Sequence, residues 1–276
     1  MDFQIALLLG QDGLTNGAIY ALLALALVLV FAVTRVIFIP QGEFVAYGAL
    51  TLAALQAGKV PATLWLILAL GAAVMVLDCA QALRHGSGRR VPRIVAVNLA
   101  APLLLWLLLS NVDLVGLPLV GQIVLALAIV VPLGPMLYRL AYQPIAEASV
   151  LMLLIVSVAV HVVLIGLGLL FFGAEGTRTP AFTEGTLDLG ATTLQYQTLW
   201  ILASSAVLIV ALYAFFERTI YGKALRATAL NRTGARLMGI STTMAGKLSF
   251  TLAALIGAFS GILISPITTL YYDSGF

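Results

Sequence analysis

Apolar runs of spanning or near-spanning length recur along the chain at 14–34, 41–58, 61–83, 94–110, 119–138, 150–172, 199–216 and 248–270, separated by short polar breaks. A helix needs about 20 apolar residues to cross a bilayer, so the pattern predicts about eight transmembrane helices. The runs are continuous and do not alternate with period two. Helices are therefore expected and not a barrel, since only these two architectures pair every backbone polar group inside hydrocarbon. The second run is the weakest of the eight. It is short, follows Arg35 and Pro40 and carries Gln41 and Glu43, which predicts a segment that begins broken or re-entrant.

Two runs carry a face that can be read from spacing. In the last, Ser249, Ala253, Gly257, Gly261 and Ser265 recur every fourth residue and form one stripe of small side chains, with Ala253, Gly257 and Gly261 at its centre. Such a stripe lets a second helix approach closely. In the first, Asn16, Tyr20 and Ala24 share a face, with Gly17 and Ala21 beside it. That mixed surface suits helix packing or the lining of a path.

Composition sets the class. The mean hydropathy is +1.11 and only 9% of residues are charged, against about 25% in soluble domains. The fold class expected is an all-α integral membrane protein, a polytopic helical bundle forming one transmembrane domain over residues 1–276. The net charge of +3 needs no nucleic acid partner, because basic residues at the cytoplasmic ends of spans account for it. Counted over eight spans, Arg35, Arg84, Arg89, Arg90, Arg93, Arg139, Arg218, Lys223, Arg226, Arg232, Arg236 and Lys247 fall on one face, and only Lys59 and Arg178 on the other. The basic face is read as cytoplasmic, with the N-terminus outside. The opposite face collects Asp2, Asp12, Asp113, Glu175, Glu184 and Asp188, and its long 173–198 loop suits an extracytoplasmic partner. The start of the chain has no basic stretch before Leu14–Val33, which reads as a retained first span and not a signal peptide.

No catalytic constellation can be assembled. The chain has one cysteine, Cys79, and two histidines, His85 and His161, too few for a thiolate or imidazole metal site, so no metal and no cofactor are expected. Gly222-Lys223 lacks the upstream glycine and following hydroxyl of a phosphate-binding loop, so ATP is not bound through such a loop. Asp78 and Gln81 sit near the cytoplasmic end of the third run, in reach of water or Arg84. His161 lies near the middle of 150–172, where burial demands a partner: an interhelical contact or a substrate path.

The largest polar island is Glu217–Lys247, holding six of the 14 Lys and Arg residues. If 220–238 is helical, the 100° step places Ala224, Ala227, Asn231, Ala235 and Met238 on one face and Lys223, Arg226, Arg232 and Arg236 on the other. Gly239 suits the left-handed position that ends a helix, and Ser241 or Thr242 the start of the next. Topology alone, with a surface helix on anionic lipid, explains the charge. It does not explain the length of the island or its alanine-rich face.

These residues match a known pattern. Tyr221-Gly222-Lys223-Ala224-Leu225-Arg226-Ala227, then Ala235, Leu237-Met238-Gly239-Ile240 and the apolar stretch Phe250–Ile264 resemble the cytoplasmic coupling loop of permeases in branched-chain amino acid ABC importers. The stretch Asn16 to Leu25 with Gly42-Glu43-Phe44 is similar to the family's first two helices, and Leu140-Ala141-Tyr142-Gln143-Pro144 to the turn before a central helix. The resemblance implies that the loop docks on a separate ATPase subunit through Gly222, Lys223, Ala224, Arg226, Ala227, Ala235 and Gly239. The chain departs from the pattern at Ile37-Phe38-Ile39-Pro40-Gln41-Gly42, at Ser157 to His161 and at Ile165-Gly166. About 50 residues around 61–110 read as an added hairpin, and relatives continue through further helices beyond Phe276.

The resemblance implies a permease subunit, not an enzyme, in a bacterial inner membrane. Its partners would be cytoplasmic ATP-binding subunits, a second permease subunit, a periplasmic solute-binding protein and membrane lipid. Asn16, Tyr20, Gln41, Glu43 and His161 are the candidate substrate path. Two other readings remain open on the residues alone. One is an ion-coupled secondary transporter in which Asp78 or His161 titrates; the other is a non-transporting scaffold or decayed copy.

Overall fold

The computed structural model describes residues 3–84, 86, 91–188 and 193–275. The residues Asp2, His85, Arg89 and Arg90, read above from sequence, lie outside these. The helices are α1 (Phe3–Thr34), α2 (Gln41–Gln56), α3 (Thr63–Arg84), α4 (Val91–Asn111), α5 (Leu119–Ile145), α6 (Val150–Phe172), α7 (Tyr196–Arg218), α8 (Ile220–Leu230), α9 (Arg232–Leu237) and α10 (Thr242–Ile264). A two-stranded antiparallel hairpin, β1 (Thr186–Asp188) and β2 (Thr193–Gln195), precedes α7.

Among the described residues seven helices are long and apolar enough to cross a membrane: α1, α3, α4, α5, α6, α7 and α10. The remaining expected run, the second, becomes α2, which at 16 residues is roughly 24 Å long and falls short of a bilayer on its own. Its first turn lies against the middle of α10, where the Gln41 Nε2 donates to the Ala253 carbonyl over 3.0 Å. The irregular stretch 35–40 therefore runs inward from the end of α1 before the helix begins. Phe38 carries it into the core, stacking 4.6 Å from Phe250 and 5.9 Å from Tyr142, ring centre to ring centre. Non-helical backbone at that depth is stable only where protein surrounds it, and Phe38 is fully buried.

Thirteen of the sixteen α2 residues are buried, which makes α2 the axis of the bundle. The small-residue stripe of α10 lies against it. A Cβ on Gly261 would overlap the Val45 carbonyl, and one on Gly257 would come within 2.8 Å of Gln41 Nε2. Lipid is as apolar as leucine, so this close backbone approach, and not hydrophobic burial, holds the two helices together.

α3 and α4 form a hairpin over the stretch read above as added; Leu64, Ile67 and Val74 pack it into the apolar core of the bundle, and a polar tie reinforces that contact. Arg139, where α5 widens into a π-turn, donates from Nε to Asp78 Oδ1 over 2.6 Å and from Nη2 to Gln81 Oε1 over 2.7 Å. Arg139 thus partners both Asp78 and Gln81, where the sequence pointed to water or Arg84. On the opposite face the 173–185 loop is clipped to the segment after α10: Thr177 and Leu270 exchange backbone hydrogen bonds of 2.9 Å, and the Thr179 and Ser265 hydroxyls meet at 2.6 Å.

Candidate functional site: the polar loop and the α1–α2 cleft

The Glu217–Lys247 island folds as three capped helical starts and not as one helix over 220–238. Thr219 caps α8, its Oγ1 accepting from Gly222 N at 2.9 Å. Asn231 then ends α8 and caps α9, its Oδ1 accepting from Gly234 N at 2.9 Å. Asn is a poor helix interior residue because its side chain competes for backbone amides. Gly239, with φ of +81°, closes α9, and Ser241 caps α10 by accepting from Met244 N at 3.3 Å.

The break at Asn231 changes which residues share a face. Leu225 and Thr228 of α8 and Ala235 of α9 are buried, Leu225 packing with Val33 and Ala245. Gly222 presses onto the α7 backbone so closely that a Cβ would overlap the Phe215 carbonyl. Gly222 and Ala235 therefore face inward and are not on the outer surface of the loop, while Ala224 and Ala227 are half-buried and Lys223, Arg226 and Gly239 are exposed. Ala235 and Met238, placed on one face by a continuous helix, point to opposite sides. The outer surface instead presents Leu230, Leu237 and Met238, exposed by 87%, 83% and 83%. Capping residues inside the island were the signal for this arrangement, since Asn231 with Gly234 and Thr219 with Gly222 each mark a helix start.

The five candidate path residues separate into two groups. Asn16, Tyr20 and Gln41 line a cleft of about 740 Å³ between α1, the start of α2 and the segment after α10. Its walls are otherwise mainly aliphatic, including Ile19, Leu23 and Val45. Gln41 is 2% exposed, and its Oε1 has no hydrogen-bond partner among the described residues. Glu43 and His161 are on the far side of α2. Two residues apart on a helix means 200° around it, so Gln41 and Glu43 face opposite ways. The Glu43 Oε1 meets His161 Nδ1 at 2.7 Å, joining α2 to α6. Tyr47, one turn on, donates to the Leu164 carbonyl over 2.7 Å and strengthens the same junction. Ionisable groups inside a membrane pair in this way because each alone is costly.

Sequence reasoning missed one constellation altogether. At the basic face Arg35, Arg232 and Arg236 line a cleft of about 380 Å³ with the turn before α6. Arg35 is about 200 residues from Arg232 and Arg236, so no local spacing brings it to them. Among the described residues no group of three or more His, Cys, Asp or Glu side chains could hold a metal ion.

Comparison with known proteins agrees with this architecture. The family described as "Branched-chain amino acid transport system / permease component" matches residues 11–276. The chain is 27% identical over 188 residues to the high-affinity branched-chain amino acid transport system permease protein LivH of Escherichia coli, and 26% identical to LivH of Salmonella typhimurium. In both cases the match covers 65% of this chain and 59% of the relative, so the chain spans under two thirds of the length of these curated relatives. No solved structure gives a significant match.

Proposed function

Because the chain belongs to the branched-chain amino acid transport permease family, we propose that it is the membrane-spanning subunit of an ATP-driven importer for branched-chain or similar aliphatic amino acids. It works in a bacterial inner membrane with the basic face toward the cytoplasm. There it pairs with a second permease subunit and receives solute from a periplasmic binding protein on the 173–198 side. The relatives' printed names, as branched-chain amino acid permeases, support the solute class. So do the aliphatic walls of the α1–α2 cleft, with Asn16, Tyr20, Gln41, Thr268 and Ser274 as its polar lining.

The observation that carries this reading is the polar loop. It is anchored to α1, α7 and α10 on its inner side yet exposes Leu230, Leu237 and Met238 on its outer side. Exposed apolar side chains in a cluster are characteristic of a protein contact. An ATP-binding subunit supplies that contact, and Lys223, Arg226 and Gly239 lie on its rim. Gly222, Ala224, Ala227 and Ala235 act from beneath by fixing the height of the loop. Because the loop is wedged among helices and not hung from them, a push on α8 and α9 moves α1 and α10 as rigid bodies. Transport by this subunit needs no covalent chemistry.

Co-purification of the tagged chain with ATP-binding subunits tests the proposal. In the Leu237→Asp/Met238→Asp variant, recovery of ATP-binding subunits and ATP-dependent uptake are expected to fall at least about tenfold, since two central apolar contacts are together worth more than about 1.4 kcal/mol. The unfolding midpoint of the isolated chain should stay within error, because both side chains are exposed. Unchanged recovery in this variant would remove the docking role of the outer surface.

A further inference from the structure

We propose that the Arg35, Arg232 and Arg236 cleft binds a phosphate group, as carried by an anionic phospholipid head. The proposal rests on the orientation adopted above only in assigning the cleft to the cytoplasmic leaflet. Three guanidinium groups line the cleft against one carboxylate, Glu147, leaving a local charge of +2. Glu147 Oε1 accepts from Arg236 Nη1 at 3.0 Å, and among the described residues Arg232 Nη1 donates to the neutral Ala146 carbonyl, also at 3.0 Å. For Arg35 no ion pair occurs among the described residues. Two of the three cations thus face the cleft without an opposing charge, and a guanidinium matches phosphate oxygens in bidentate geometry.

Backbone geometry singles out Arg35. Its φ is +61°, and among the described residues it alone is in the left-handed region without being glycine. Glycine or asparagine would adopt this helix-ending conformation more readily. The arginine holds that position at the end of α1, where its side chain is set toward the turn before α6 and lines the cleft. Strained backbone of this kind persists where the surroundings require the side chain.

The position of the cleft favours a lipid over a soluble phosphate. Its floor is Val150 and Leu153 at the start of α6, and the next outward residues of that helix, Leu151 and Ile155, are exposed by 67% and 57% on a segment that crosses the membrane. A head group held by the arginines would therefore leave its acyl chains along an apolar helix surface. Basic pockets at the cytoplasmic end of helices hold phospholipid heads in this manner.

The experiment is native mass spectrometry of the full chain, without ATP-binding subunits, released from bilayers of equal phosphatidylglycerol and phosphatidylcholine. The wild type is expected to retain phosphatidylglycerol with about tenfold preference. Arg35→Gln/Arg232→Gln should lose the preference, and Arg35→Lys/Arg232→Lys, which keeps the charge, should recover most of it. A parallel arm adds inorganic phosphate to the chain in pure phosphatidylcholine. A rise in unfolding midpoint in the wild type but not in the glutamine variant, with no lipid preference, would make free phosphate the source. If neither lipid nor phosphate distinguishes the wild type from the glutamine variant, the proposal is overturned. It is equally overturned if that variant keeps its lipid preference in this assay and, in the separate co-purification described above, loses ATP-binding subunits, since an acidic protein side chain is then the occupant. Failure of subunit docking at Leu237 and Met238 leaves the lipid result unaffected, so the two proposals fail separately.

Discussion

Gly261→Leu is expected to destabilise the bundle by more than about 3 kcal/mol, beyond the usual range for an overpacked core. The reason is what the new side chain would meet. At Gly261 the neighbour is the Val45 backbone, its carbonyl oxygen and carbon both inside contact distance of any Cβ. Backbone cannot rotate aside as a flexible side chain can, so α2 and α10 would have to separate. That separation undoes the matching approach at Gly48, where a Cβ would overlap the Ala258 backbone, and removes the bond from Gln41 to Ala253. Gly166→Ala is the control, for it sits on α6 with nothing within 4 Å and should leave the bundle unchanged or up to about 1 kcal/mol more stable. Thermal unfolding of both variants in detergent, followed by protease resistance, makes the comparison. A Gly261→Leu midpoint equal to that of Gly166→Ala would mean that α2 and α10 do not touch as described.

That contact also marks what could be read in advance. The period-four stripe from Ser249 to Ser265 is a local feature, and a local feature of one helix specifies a face regardless of its partner. The runs themselves are local in the same way, so seven spans and the weakness of the second were legible. Partner choice is not local. Asp78 has Arg84 six residues away, yet Arg139, 61 residues on, takes it, because α5 folds back beside α3. The basic cleft was hidden for the same reason, its three arginines being gathered by the packing of α1, α6 and α9. In the polar loop the error had a different origin. A helical wheel drawn through Asn231 assumes a helix that the Asn231 cap interrupts, and one break rotates every later residue. Gln41 and Glu43 were grouped by proximity in sequence, although helix geometry alone sets them on opposite faces of α2.

Their separation leads to the second large effect, at Glu43. Glu43→Ala is expected to cost about 2–5 kcal/mol, the range for truncating a buried side chain with loss of its hydrogen bond. The carboxylate is 2% exposed and joins α2 to α6 through His161, a helix with few other buried residues. Its loss removes that contact from His161 and adds the cavity of the missing side chain. Glu43→Gln behaves differently because the amide oxygen still accepts from His161; the expected cost is about 1 kcal/mol. Glu43→Ala/His161→Leu should recover about 2 kcal/mol relative to Glu43→Ala, as leucine fills part of the space and needs no polar partner there. Uptake separates a fixed clasp from a proton carrier. In a permease powered by ATP-binding subunits the Glu43–His161 contact holds two helices in register, so Glu43→Gln should keep uptake within about threefold of the wild type. An ion-coupled transporter would lose uptake entirely in Glu43→Gln, since an amide cannot exchange a proton, and would retain it without ATP-binding subunits. Assay of Glu43→Gln in proteoliposomes, with those subunits and ATP supplied or withheld, reads both differences at once, and uptake that survives only with ATP identifies the pair as a clasp.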